Sequence, residues 1–230
     1  MNQERLLKIA NLIEQNSIVA DIGTDHGLIP IFLSENNIAK KIIASDISGK
    51  SLSKLVDKIY NNPYMSNIET RVSDGLNEYK LFEADTIIVS GMGGILITKI
   101  LNDNLEIAKS ANNLVLQANN GLYELRKFLH ENGFAIIDED DVIENKKYYQ
   151  IIKTKVGLEK YEKKEEYYFG RVLIKKKSKN LELYIDKLIN DNKKLMKELN
   201  ILGNKSIKDR ITDIKKENLF YENVRKNLEN

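Results

Sequence analysis

Cysteine is absent from the 230-residue chain, which excludes a disulfide framework, a thiolate nucleophile and a metal held by sulfur. Histidine is nearly absent: His26 and His130 are the two in the sequence, and two distant imidazoles make no metal constellation. No metal is expected. No apolar run approaches the length of a bilayer span, and the opening "MNQERLLKIANLIEQN" is amphipathic, without the unbroken apolar stretch of a signal peptide. A cytoplasmic protein with no membrane attachment is expected. Self-similarity at the period of about 20–50 residues that marks a repeat array is also missing. What the chain does have is a globular balance, 42% apolar and 30% charged residues, enough for one ordinary domain and an appendage.

The formal net charge of +2 conceals a division, because residues 1–152 carry −6 and residues 153–230 carry +8. A basic segment attracts polyanions by releasing their counterions, which makes nucleic acid a candidate partner. Lysines on the solvated outer faces of helices are the plainer alternative.

Residues 1–16 read as a helix with Leu6, Ile9, Ala10 and Ile13 on one stripe. Short apolar runs follow at 18–23, 41–47, 68–75, 84–91, 113–118, 134–143 and 148–156, with helical segments at 27–38, 48–62, 93–108 and 121–132. Alternation of this kind predicts a doubly wound, mostly parallel α/β sheet. Only "ENKK" separates the last two runs, too little for a crossover helix, so they should pair antiparallel at one edge. That is the Rossmann-like layout of a class I methyltransferase. The expected domains are 1–157, the sheet, and 158–230, a helical appendage. In the latter Leu181, Ile185, Leu188, Asn192, Leu195, Leu199 and Leu202 step by four and three as heptad a and d positions. Gly203 is fit to end that helix, and Ser206 with Asp209 to cap the next. Ile207, Ile211, Ile214, Asn218 and Tyr221 resume the stepping, which predicts a helical hairpin folded as an antiparallel coiled coil.

The loop "DIGTDHG" ends the first strand with Asp21, Gly23, Asp25, His26 and Gly27. A dinucleotide fingerprint needs G-x-G-x-x-G so that pyrophosphate can lie on the helix N-terminus. Here the spacing is G-x-x-x-G, and two carboxylates would flank any phosphate. No Lys-Ser/Thr follows, so a P-loop is excluded. A cationic ligand suits such a loop better, and S-adenosylmethionine carries both a sulfonium and an amino group. His26 reads as a hydrogen-bond donor that orders the loop. Asp46, with Ile47 beside it, ends the second strand, where a carboxylate can accept both ribose hydroxyls. Asp74 ends the third, where it can accept from an adenine amino group while Gly75 clears space. Read singly, either acid serves equally as a helix N-cap; read together, they converge on one crevice at the carboxyl ends of the strands. "SGMGG" then leaves the backbone open at Gly91, Met92, Gly93 and Gly94, where methyl donor and acceptor would meet. The Asp/Asn-Pro-Pro-Tyr/Phe tetrad of exocyclic amino methyltransferases is lacking. "LVLQANNG" brings Gln117, Asn119 and Asn120, amides suited to a base edge or to turn-making. No general base is identified; Asp25, Gln117 and Asn119 are the candidates on the acceptor side.

In this order, "DIGTDHGLIPI", "ASDI", "SDGL", "SGMGG" and "LVLQAN", followed by a coiled-coil tail, resemble the bacterial TrmK-type tRNA (adenine-N1)-methyltransferases over essentially the whole chain. The resemblance implies methyl transfer from S-adenosylmethionine to N1 of adenine 22 in tRNA. It makes Gly23, Asp25, Asp46, Asp74, Gly75, Gly91 and Met92 the cofactor wall. The chain departs from the family pattern at Ala118, where Q-P-N is usual, and at Arg171, where F-G-P is usual. Gly93, Gly94, Asn119, Asn120 and the basic run Lys175, Lys176 and Lys177 are expected to meet the tRNA, with the protein a monomer or weak dimer. A small-molecule methyltransferase with a dimerising coiled coil and a non-catalytic RNA-binding module remain the alternatives.

Overall fold

The apolar runs become seven strands of one sheet, and most of their residues are buried because helices cover both faces, as a parallel sheet requires. A computed structural model describes residues 4–24, 26–202 and 205–229, with backbone only at 202, 205 and 206. The expectations placed on Asp25, Gly203 and the side chains of Leu202 and Ser206 lie outside the described residues. The chain divides into two compact units, Met1–Glu162 and Lys163–Asn230.

In the first unit the elements run α1 (Glu4–Ala10), β1 (Ser17–Ile22), α2 (Leu28–Glu35), β2 (Ala39–Asp46), α3 (Gly49–Tyr60) and β3 (Ile68–Val72). They continue with β4 (Thr86–Met92), α4 (Gly94–Asp103), α5 (Leu105–Ser110), β5 (Asn113–Ala118), α6 (Leu122–Glu131), β6 (Phe134–Glu144) and β7 (Lys147–Val156). The sheet order is β3-β2-β1-β4-β5-β7-β6. β1 to β5 are parallel, and β7 runs antiparallel to both β5 and β6. Register places Val19, Ile42, Ile88 and Val115 on the face covered by α1 and α2, with Ile9, Ile29, Leu33 and Leu55 completing that core. Alternate residues such as Ala20, Ile43, Ile87 and Leu114 point to the opposite face, where α4 and α6 pack together.

Several boundaries differ from the sequence pattern, β3 for one ending at Val72 and not at residue 75, and three of the differences have a local reason. The first helix stops at Ala10 and not near residue 16, because the chain turns into β1 through Asn16 at φ 60°. The helix expected at 93–108 breaks at Asn104, whose φ/ψ of −137°/49° is not helical and whose side chain donates to Asn77 at 2.7 Å. The β6–β7 turn is two residues long, and Asn145 and Lys146 both take positive φ, the geometry that matches the twist of a tight hairpin. Beyond β7, residues up to Glu162 stay with the sheet. Gly157 N donates to Gly133, Glu159 accepts from the Ile136 amide at 2.8 Å, and buried Tyr161 meets His130 edge-on.

The second unit comprises α7 (Lys164–Phe169), α8 (Arg171–Lys175), α9 (Lys179–Leu202) and α10 (Lys205–Glu229). The two long helices run antiparallel, since Arg225 reaches Glu182 and Asp186 while Asn192 donates to Asn218 at 3.1 Å. Leu181, Ile185 and Ile214 are fully buried in their seam, and Asn192 with Asn218 supplies its polar layer. Ile189, not its neighbour Leu188, takes the buried place in the next turn. Tyr168, Phe169, Phe220 and Tyr221 form an aromatic cluster that fastens α7 to α10.

Among the described residues no helix is long and apolar enough to cross a membrane, and no group of three or more histidines or acids could hold a metal ion.

Candidate active site

The carboxyl ends of β1 to β5 share one edge of the sheet, and the residues that follow each strand line two adjoining cavities there. Gly23 and Met92 form the wall common to both. Gly23 has φ 73°, and its amide and that of Thr24 both donate to Ser45 O at 2.8 Å, which folds the loop back over β2. A side chain at Gly23 would meet only the end of the flexible Met92 side chain, so it is the backbone angle that calls for glycine there.

The first cavity, of about 230 Å³, lies among Ile22, Asp46, Ile47, Asp74, Gly75, Leu76, Leu96 and Ile100. Asp46 accepts the Ser48 amide with one carboxylate oxygen at 2.8 Å. Ser48, not Asp46, is the N-cap of α3, so the acid is spared that role. Asp74 is exposed and begins a turn, not a helix, and so caps nothing. Ile47 is 68% exposed, a large apolar side chain held out beside an acid at the cavity mouth. Apolar walls with two carboxylates at strand ends suit a flat heterocycle joined to a ribose.

The second cavity, of about 280 Å³, lies between α1 and the sheet, among Arg5, Asp21, Thr24, Leu28, Ser90, Gly91, Asn119 and Tyr149. Asp21 is 3% exposed, and burial pushes its carboxyl pKa up to about 6. Beside it a chain of polar contacts crosses three elements. Arg5 Nη1 donates to Gln117 Oε1 at 2.9 Å, and Gln117 Nε2 donates to Asn119 Oδ1 at 3.1 Å. Asn119 Nδ2 donates in turn to Gly91 O at 2.6 Å. The Arg5 guanidinium also lies 5.2 Å from the centre of the Tyr149 ring.

Asp21, Gly23, Asp46, Ile47, Asp74, Gly75, Gly91, Met92 and Asn119 thus come together at one edge. Gln117 stands behind Asn119, fully buried. Gly94 is buried where α4 meets the β5–α6 turn, and neither it, Gly93 nor Asn120 lines either of these two cavities. His26 is exposed with φ 56° in the loop and faces neither cavity. Lys175, Lys176 and Lys177 are exposed in the second unit. Arg5, Tyr149, Lys99 and Asp103 line the cavities without having been singled out in the sequence. Arg5 sits next to the apolar stripe of an amphipathic helix and Tyr149 within β7, between β5 and the edge strand β6, so no local motif marks them.

Sheet order, the lone reversed strand and a cleft at the strand ends define the Rossmann-like class I methyltransferase fold. The methyltransferase domain family matches residues 2–152. The tRNA (adenine(22)-N(1))-methyltransferase of Bacillus subtilis (strain 168) is 32% identical over 154 residues, 67% of this chain and 65% of that protein. The match therefore spans less than two thirds of the Bacillus protein. Among solved structures, a Streptococcus agalactiae protein of the NADB-Rossmann superfamily superposes with a TM-score of 0.86 at 26% identity, covering 98% of this chain and 97% of that one. TrmK of M. capricolum, solved with the cofactor product S-adenosyl-homocysteine, gives 0.78 at 28% identity over 98% of this chain and 96% of that one. The chain belongs to the methyltransferase domain family and, within it, to the TrmK-type proteins.

Proposed function

We propose that the protein transfers a methyl group from S-adenosylmethionine to N1 of an adenine, position 22, in tRNA. The observation that carries this reading is the pair of cavities that meet at Gly23 and Met92, one acid-edged and apolar, the other polar. Asp46 would hold the ribose hydroxyls, Asp74 the adenine amino group, and Ile47 one face of the adenine ring. Asp21, on the far side of the shared wall, would take the amino group of the methionine portion. When bound, the donor supplies an electrophilic methyl on a sulfonium.

Adenine N1 has an in-plane lone pair, so the chain has no proton to remove before transfer and its task is alignment. Gly91 and Met92 leave room for the acceptor at the junction, and Asn119 stands at its edge. The methylated base is cationic, and backbone carbonyls with the Asp21 carboxylate would stabilise it. N1 is engaged in a Watson-Crick pair, so the base must be exposed or flipped to enter.

The basic second unit would orient the tRNA through its phosphates, with Lys175, Lys176 and Lys177 among the contacts. Its buried seam leaves α9 and α10 facing each other, which favours a monomer or weak dimer over a coiled coil shared between chains. The protein would act in the cytoplasm. Incubation with labelled donor and unmodified tRNA, followed by mass-spectrometric mapping, should find N1-methyladenosine at one position. A tRNA left unlabelled would overturn the reading.

A further inference from the structure

The amide orientations in the second cavity follow from a single cation. Gln117 Oε1 receives two donors, Arg5 Nη1 at 2.9 Å and the Gly91 amide at 3.2 Å, so the oxygen end of that amide is fixed. Its nitrogen must then face Asn119, which turns Asn119 Oδ1 toward Gln117 and Nδ2 toward Gly91 O. Arg5 is itself held by the Tyr149 ring and by Glu144, whose carboxylate accepts the Arg5 backbone amide at 3.4 Å and lies 3.9 Å from its guanidinium. Asn119 is exposed at the cavity edge, and among the described residues one N–H and one oxygen lone pair of its side chain stay open.

An amide that offers one donor and one acceptor side by side matches adenine in two ways. On the Watson-Crick edge it would pair with the 6-amino group and N1. On the Hoogsteen edge it would pair with the 6-amino group and N7. The first occupies the nitrogen that must attack, and the second leaves it free. We propose that Asn119 reads the Hoogsteen edge of the acceptor adenine, and that Arg5 is the positioning residue that orients it through Gln117. Guanine is rejected at the same place, since its O6 would oppose the Asn119 oxygen. This rests on the proposed adenine-N1 activity.

The test compares unmodified tRNA with the same tRNA carrying 7-deazaadenosine at the acceptor position, which removes N7 and keeps both N1 and the 6-amino group. The wild-type protein should lose about tenfold in kcat/KM on the deaza substrate, the worth of one good hydrogen bond. Asn119→Ala should be slow on both substrates, with the ratio between them close to one. Arg5→Ala should also lower that ratio, and Arg5→Lys, which keeps a donor for Gln117, should restore part of it. Calorimetry with S-adenosylhomocysteine on each variant reports whether the sheet and first cavity are intact. Equal use of both substrates by the wild type would overturn the Hoogsteen reading. A slow Arg5→Ala variant with an unchanged ratio would overturn the role of Arg5. No N1-methyladenosine from unmodified tRNA would overturn the activity and this inference with it.

Discussion

Burial raises the Asp21 carboxyl from an ordinary value of 3.8 to about 6, against a smaller downward pull from Thr24, whose hydroxyl meets no partner at hydrogen-bonding geometry. The folded protein therefore holds this proton more tightly than the unfolded chain does. Stability is full below about pH 4, falls as the pH rises toward 6, and stays reduced above it. The shift corresponds to roughly 3 kcal/mol of penalty for the ionised form. Asp21→Asn should thus melt several degrees higher than the wild type at pH 8 and no higher at pH 4. The same change should weaken S-adenosylhomocysteine binding at pH 8 and abolish the rise in wild-type affinity between pH 5 and 7. Calorimetry across that range decides the matter, since undiminished affinity in the variant would mean that Asp21 does not face the cofactor's amino group. A buried acid that costs stability when empty and is matched by a cation when filled is what a donor-binding site requires.

At the scale of elements, the two halves of the site are joined where α4 starts beside the β5–α6 turn. Gly94 N donates to Asn120 O at 2.9 Å, and Asn119 N donates to Met92 O at 2.7 Å. A side chain on Gly94 would strike Gly121 O, which is backbone and cannot move aside alone, whereas one on Gly93 meets only the movable Asn120 side chain. Gly94→Ala should therefore cost about 1–3 kcal/mol in urea melts and reduce methyl transfer much more than cofactor affinity, because Asn119 shifts while Asp46 and Asp74 do not. Gly93→Ala should be milder on both counts. If the two variants behave alike, the contact between the loops is not what matters. The strands were legible, most of them within about two residues of their ends, because strand centres such as Ile87, Ile88 and Val89 are buried on both faces and so form apolar runs. Asp46 was legible because it ends such a run, and Asp74 because it follows the third strand by two residues. Arg5 and Tyr149 were not, since they meet each other and join Asn119 around the second cavity only when α1 folds onto the far edge of the sheet, a closure that no local spacing encodes. The break at Asn104 was hidden for a similar reason: it is held by a side-chain bond to Asn77, 27 positions away.

For the whole molecule the division of charge is the governing feature. The unit from Lys163 to Asn230 contains 18 lysines and arginines against 11 acids, while the sheet unit is net acidic. Several of the basic side chains are committed within the unit, as Arg225 is to Glu182, Asp186 and Glu229. A site edged with carboxylates repels phosphate, so the proposed affinity for tRNA would have to come from elsewhere on the chain, and the basic unit is the place to look. Lys175, Lys176 and Lys177 are exposed together at the end of α8. Replacing all three with glutamate should lower tRNA affinity and make the plot of log K against log salt shallower by about 2–3, since each phosphate contact contributes about 0.7–0.9 to that slope. Affinity for S-adenosylhomocysteine should stay as it is, because the two cavities proposed to hold it are lined by residues of the sheet unit. An unchanged salt slope would place the phosphate contacts on other lysines, and a parallel loss of cofactor affinity would mean that the three residues serve the fold and not the RNA.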